Sequence, residues 1–154
     1  MIDERPVLVI GYGNTLRTDD SIGPRAASVV QGWGLANVLA CGVTQLTPEL
    51  AEPLSAARLA VFVDARQAPN GGASGVEVRP IEISEVTSTF GHTSDPGYLL
   101  SLAQAVYGSH PRAWLVTVPA HDLALGDGLS PPARQGLEVA LGRIAELLKE
   151  PGPG

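Results

Sequence analysis

Short apolar runs alternate with segments of helical spacing along most of this chain. Continuous apolar runs predict buried strands, and the helical segments between them predict crossover helices. The run at residues 59–63 is wholly apolar, which predicts a strand in the middle of a sheet. Pro80 cannot donate a ladder hydrogen bond, so its strand is predicted to lie at an edge. The predicted strands are residues 7–10, 37–41, 59–63, 76–83 and 114–118.

The helix predictions rest on start signals between these runs. Gly23-Pro24, Thr47-Pro48 and Ser130-Pro131 each place a proline where a first helical turn tolerates it. A further helix is predicted at residues 98–107, and the stretches 68–75 and 90–97 are predicted to be irregular. Residues 1–154 are therefore predicted to form one three-layer α/β/α domain with a mostly parallel, about five-stranded sheet.

Composition narrows the function classes. A hydrophobic content of 44% with only 17% charged residues indicates a packed core. The net charge of -6 argues against nucleic-acid binding, which needs a basic face. The lone Cys41 excludes an internal disulfide, and its apolar neighbours predict a core position. The chain shows neither a signal-peptide pattern nor an apolar run of membrane-spanning length, so a cytoplasmic protein without membrane contact is expected.

The first strand leads into a glycine-rich turn that delivers two adjacent carboxylates, Asp19 and Asp20, just before a helix. A dinucleotide site is disfavoured, because Leu16 occupies the position of the third glycine and the carboxylates would repel a pyrophosphate. A single Asp would be enough to cap the helix. Asp20 is therefore a candidate for chemistry as well as for capping, and the residues do not show whether Asp19 shares its role.

Asp64 closes the predicted central strand, at the edge where open α/β sheets place their ligands. Two histidines, His92 and His121, follow later strands and could face the same edge, and the residue pattern does not rank them. Two carboxylates and one imidazole suit a divalent ion such as zinc, nickel or manganese and leave open positions for water or substrate.

The chain resembles the hydrogenase maturation endopeptidases over nearly its whole length. The resemblance rests first on the pattern G-x-G-N-x-L-x-x-D-(D/E)-x-x-G from Gly11 to Gly23 and on Val-Phe-Val-Asp-Ala at 61–65. Residues 44–50, the His92 segment and Leu129-Ser130 add to it. Two positions differ from the usual pattern: Asp20 stands where many members have Glu, and Ser21 where many have Gly.

This resemblance implies a phosphorylase/hydrolase-like fold and an aspartyl-type protease. The enzyme would remove the C-terminal extension of a NiFe-hydrogenase large-subunit precursor, which is then its partner. It also implies that Asp20, Asp64 and His92 are both the metal ligands and the catalytic residues. Nickel would be supplied by the substrate, another divalent metal could bind at the same site, and no separate cofactor site is expected.

Two alternatives remain open from the sequence. One is a non-enzymatic assembly protein that only senses metal in the precursor, and the other is a hydrolase of the same fold with a different substrate. The nucleophile, the choice between His92 and His121, and the oligomeric state are likewise open.

Overall fold

The computed structural model describes residues 4–67, 75–83 and 95–149. Their strands form one five-stranded sheet in the order β2-β1-β3-β5-β4. All neighbouring pairs are parallel except β4 with β5. The predicted mostly parallel sheet and the edge position of the strand with Pro80 are confirmed. The strands are β1 Val7–Tyr12, β2 Val38–Val43, β3 Leu59–Gln67, β4 Glu77–Ile81 and β5 Arg112–Ala120.

Helices cover both faces of the sheet, as predicted for a three-layer domain. The helices are α1 Ile22–Gly32, α2 Ala51–Ser55, α3 Pro96–Tyr107 and α4 Pro131–Leu148, with short 3₁₀ turns at Thr18–Ser21 and Pro48–Leu50. Helices α1 and α4 pack on one face, and α2 and α3 on the other. None of the helices in the described ranges is long and apolar enough to cross a membrane.

Alternate residues of the central strands supply two separate cores. Ile10 and Phe62 point toward α2 and α3, whereas Val9, Val61 and Val63 point toward α1 and α4. All five side chains are almost completely buried. A strand that is buried on both faces has no polar alternation, which is why the wholly apolar run in β3 correctly predicted its central place.

Two features differ from the prediction. Strand β3 does not end at Asp64 but continues to Gln67, because β5 pairs with it through Gln67 and Ala120. Cys41 is exposed, so its predicted core position is wrong. The physical reason is that β2 is an edge strand. Leu39, on the same strand, is also exposed, at 57%. The predicted irregular stretches fall largely outside the described residues.

The start of α1 lies unusually close to the central strands. A Cβ atom on Gly23 would lie 2.5 Å from the Tyr12 carbonyl oxygen and 2.6 Å from the Val63 carbonyl oxygen. A Cβ on Gly11 would collide with the carbonyl group of Gly23 itself. Only paired glycines allow this approach, and it seats the segment carrying Asp20 against the ends of β1 and β3.

We expect the Gly23→Ala substitution to lower the free energy of unfolding by about 2–3 kcal/mol, since the new methyl group meets backbone that cannot rotate away. Urea denaturation followed by circular dichroism would measure the loss. Gly32→Ala, in the last turn of the same helix, is the matched control, because nothing lies within 4 Å of its added Cβ. Equal losses in the two variants would contradict the close-packing explanation.

Candidate functional site

The carboxyl ends of β1 and β3 form the crevice of the sheet. Strands β2 and β3 flank β1 on opposite sides, so the strand order reverses between β1 and β3. Open α/β sheets bind their ligands at such switch points. Gly11 pairs with Val63, which brings the next residues of the two strands, Tyr12 and Asp64, to the same level at this edge.

The 3₁₀ turn Thr18–Ser21 holds Asp20 over the crevice. One carboxylate oxygen of Asp20, Oδ2, accepts a hydrogen bond of 2.9 Å from the backbone N–H of Asn14. The backbone N–H of Asp20 donates to the Arg17 carbonyl oxygen at 2.9 Å. Gly13 adopts a φ of +151°, and a side chain there would collide with the Asp20 carbonyl group. Backbone contacts from the glycine-rich turn thus fix this carboxylate.

Asp64 is a carboxyl group whose acidity the site changes. Burial, and next the negative charge of Asp20, raise the pKa of Asp64 to about 6. Hydrogen bonds from the Ala65 backbone N–H and from the Tyr12 hydroxyl act in the opposite direction. The hydrogen bond from Asn14 places Asp20 just beyond the end of β1, and β3 pairs with β1 in parallel, so the predicted meeting of Asp20 and Asp64 at one edge of the sheet is confirmed. Their roles as metal ligands and catalytic groups stay predictions.

Tyr12 is a site residue that the sequence reasoning missed. Burial, followed by the negative charge of Asp64 and the hydrogen bond to it, raises the pKa of the Tyr12 hydroxyl above its ordinary value. The hydroxyl therefore keeps its proton and donates a hydrogen bond to the Asp64 carboxylate. Tyr12 is the last residue of β1, and β1 pairs with β3, the strand that carries Asp64. That position at the carboxyl end of a central strand is the sequence feature that points to Tyr12.

The arrangement favours a cation. Two carboxylates held close together repel each other, and a divalent ion or a shared proton relieves that repulsion. A carboxyl group that titrates near neutral pH can also give and take protons at physiological pH. The oxygen donors fit a hard or borderline metal and leave coordination positions for other ligands.

The histidine predictions have different outcomes. His92 lies outside the described residues, so its role as third ligand stays a prediction. His121 follows β5, but its side chain is exposed, and its backbone N–H is engaged with Asp19 at 2.8 Å. Among the residues that the structure describes, no three His, Cys, Asp or Glu side chains form a metal-binding group. His121 therefore does not complete a three-ligand set with Asp20 and Asp64.

Asp19 has an environment unlike that of its neighbour Asp20. It is 0% exposed, and its carboxylate accepts hydrogen bonds of 2.8 Å from the backbone N–H groups of His121, Asp122 and Ser130. The Ser130 hydroxyl adds a fourth at 2.7 Å. Burial by itself would raise the pKa of Asp19, but these bonds outweigh it and lower the pKa below its ordinary value. Asp19 is a charged structural anchor, and it does not share the position of Asp20.

The fold is similar to that of several solved hydrogenase maturation proteases. The NiFe hydrogenase maturation protease HybD from Thermococcus kodakarensis is 25% identical, with a TM-score of 0.71 over 94% of this chain and 99% of that one. The maturation protease HycI from Thermococcus kodakarensis KOD1 is also 25% identical, with a TM-score of 0.64 over 95% and 94%. The hydrogenase maturating endopeptidase HybD from E. coli is 22% identical, with a TM-score of 0.72 over 94% and 92%.

A scan against family models and a search of curated proteins both gave no match. The solved structures cover nearly the whole chain. The resemblance to the hydrogenase maturation endopeptidases, which the Gly11-to-Gly23 pattern indicates, is confirmed.

We expect Asp19→Asn to lower the free energy of unfolding by about 3 kcal/mol at pH 7, because an amide turns one acceptor into a donor facing other donors. The stabilisation from Asp19 is present above its unfolded pKa and is lost as pH falls through its lowered folded pKa. Denaturant titration at pH 7 would measure the effect. Glu138→Gln, at an exposed position on α4, is the control and should change stability little.

Asp64→Asn should have the opposite sign and stabilise the protein by about 1–3 kcal/mol at pH 8. The folded pKa of Asp64, about 6, lies above its unfolded value, so ionising this group penalises the folded state above pH 6. The penalty fades as the pH falls, and the variant should match the parent near pH ~4. Thermal unfolding at the two pH values tests this. A variant that is less stable at pH ~8 would show that Asp64 is held by favourable bonds instead.

Proposed function

We propose that this protein is an endopeptidase that removes the C-terminal extension of a nickel-loaded NiFe-hydrogenase large-subunit precursor. The observation that carries the proposal is the pair Asp20 and Asp64 at the switch point of a fold shared with named maturation proteases. A carboxylate pair in a crevice can both receive a cation and handle protons. On this proposal the precursor is the partner, and the reaction takes place in the cytoplasm.

The repulsion between Asp20 and Asp64 supports recognition of loaded precursor. Nickel carried by the substrate would bind both carboxylates and remove their mutual repulsion, which together with the larger effect of burial raises the pKa of Asp64. A nickel-free precursor brings no such compensation, so its docking leaves the two charges unrelieved. His92 would be the third ligand in this proposal. Because metal and proton compete for Asp64, metal affinity should fall as the pH drops below about 6.

The proton chemistry follows from the same carboxylate. The Asp64 carboxylate oxygen that does not contact the cation accepts, when ionised, a proton from a water whose oxygen attacks the scissile carbonyl carbon. The carbonyl oxygen becomes an oxyanion, which the substrate's cation stabilises electrostatically. The C–N bond then breaks, and the proton passes from Asp64 to the leaving amine. Tyr12 keeps the Asp64 carboxylate oriented during these transfers through its hydroxyl hydrogen bond.

The decisive experiment incubates the protein with nickel-loaded and nickel-free precursor and weighs the products by intact-mass spectrometry. A single cut near the C-terminus of the loaded form alone is expected. Asp64→Asn and Asp20→Asn should each slow processing at least ~100-fold, since each removes a charge that binds metal or proton. His92→Ala should also be severe. His121→Ala is the matched control and should be mild.

Each alternative gives a different result. Binding of the loaded precursor without any cut would indicate the metal-sensing assembly protein. Cleavage of nickel-free precursor, or of casein, would contradict metal-dependent recognition. A severe loss in His121→Ala would mean that the wrong histidine was assigned.

A further inference from the structure

Two loops at the carboxyl edge of the sheet are joined by their backbones. The loop after β1 and the loop after β5 form a parallel bridge at Arg17 and Gly126. The Gly126 N–H donates to the Leu16 carbonyl oxygen at 2.9 Å, and the Thr18 N–H donates to the Gly126 carbonyl oxygen at 3.2 Å. The Thr18 hydroxyl donates to the Ala124 carbonyl oxygen at 2.6 Å. The two loops therefore form one fixed unit.

This unit exposes two leucines. Leu16 is 70% exposed and Leu125 is 74% exposed, and they are the most exposed large apolar side chains in the part of the chain that the structure describes. Each directly precedes a residue of the bridge, so the two lie side by side on adjacent parallel segments. We call them the leucine pair. The hydrogen bonds between the two loops hold the backbone of both leucines in place, so their exposure is a fixed feature of this structure.

The leucine pair is connected to the candidate site by two hydrogen bonds. The Leu16 N–H donates to Asn14 Oδ1 at 2.9 Å, and the Asn14 N–H donates to Asp20 Oδ2 at 2.9 Å. The Asp19 carboxylate holds the β5 loop to the same turn through His121 and Asp122. The leucine pair therefore belongs to the same fixed unit of loops as Asp20, and a macromolecule that brings a metal ion to Asp20 approaches this unit.

We propose that the leucine pair is a docking surface for an apolar patch of the folded precursor, next to the point where its C-terminal tail leaves. The proposal rests on the proposed function, because that function requires a protein surface at this edge. Charge argues against a second copy of this chain as the occupant. A symmetric copy seated here would bring its own Asp20 and Asp64 toward this pair in a chain of net charge -6.

The test compares the parent with the double variant Leu16→Gln and Leu125→Gln, which removes apolar surface without adding charge near Asp20. We expect KM for nickel-loaded precursor to rise at least about tenfold with kcat unchanged. The dissociation constant for the precursor, measured by calorimetry, should weaken to the same extent. Binding of Ni²⁺ alone and the unfolding temperature should not change. Val106→Gln with Val139→Gln, at exposed positions on α3 and α4, is the matched control.

The outcomes separate this inference from the proposed function. If the parent cuts the precursor and the double variant has an unchanged KM, the docking surface is wrong and the function stands. If the parent binds the precursor without cutting and the variant binds weakly, the function is wrong and the docking surface stands. Absence of precursor binding by the parent overturns both. Sedimentation that shows a parent dimer and a variant monomer would make the pair a self-interface and overturn the inference.

Discussion

The buried carboxylate of Asp19 is the interaction on which the rest of the site depends. It joins the turn after β1 to residues between 102 and 111 positions further along the chain, at the end of β5 and the start of α4. A buried charge is tolerated only where hydrogen bonds replace the lost water, and four donors do so here. Ser130 serves twice, since it donates to Asp19 and accepts from Ala133 as the cap of α4. This one charge therefore couples two loops and a helix start.

Neighbouring carboxylates in this turn have different environments because the backbone turns between them. Asp19 faces inward to a full set of donors, whereas Asp20 accepts from Asn14 and lies toward Asp64. The glycines supply the space for this, because Gly23 lets α1 approach the strands and Gly13 clears the Asp20 carbonyl group. The stability that Asp19 contributes can thus support an Asp20–Asp64 pair whose mutual repulsion opposes folding. Such unfavourable charge pairs are common where a ligand is meant to neutralise them.

Short sequence patterns correctly predicted those parts of the fold that depend only on neighbouring residues. The apolar run of β3 predicted its central place in the sheet, and Pro80 predicted an edge strand. The pair Ser130-Pro131 predicted the start of a helix. The meeting of Asp20 and Asp64 also followed, since both follow strands that had to be central. Features set by distant partners were not predictable in this way. The role of Asp19 depends on hydrogen-bond donors far along the chain. The role of Tyr12 depends on the register between β1 and β3. The exposure of Cys41 depends on β2 being the outermost strand.

The two edges of the sheet are protected to different degrees against unwanted strand pairing. The β4 edge carries Pro80 and the charged residues Glu77 and Arg79, which hinder another strand from adding to it. The β2 edge has the sequence Val-Leu-Ala-Cys-Gly-Val, with no charge and no proline, and within the described residues it pairs only with β1. Its exposed Leu39 and Cys41 add apolar surface and a free thiol. Self-association of this protein at high concentration should therefore start at β2 and be strengthened by oxidation to a disulfide between two copies of Cys41.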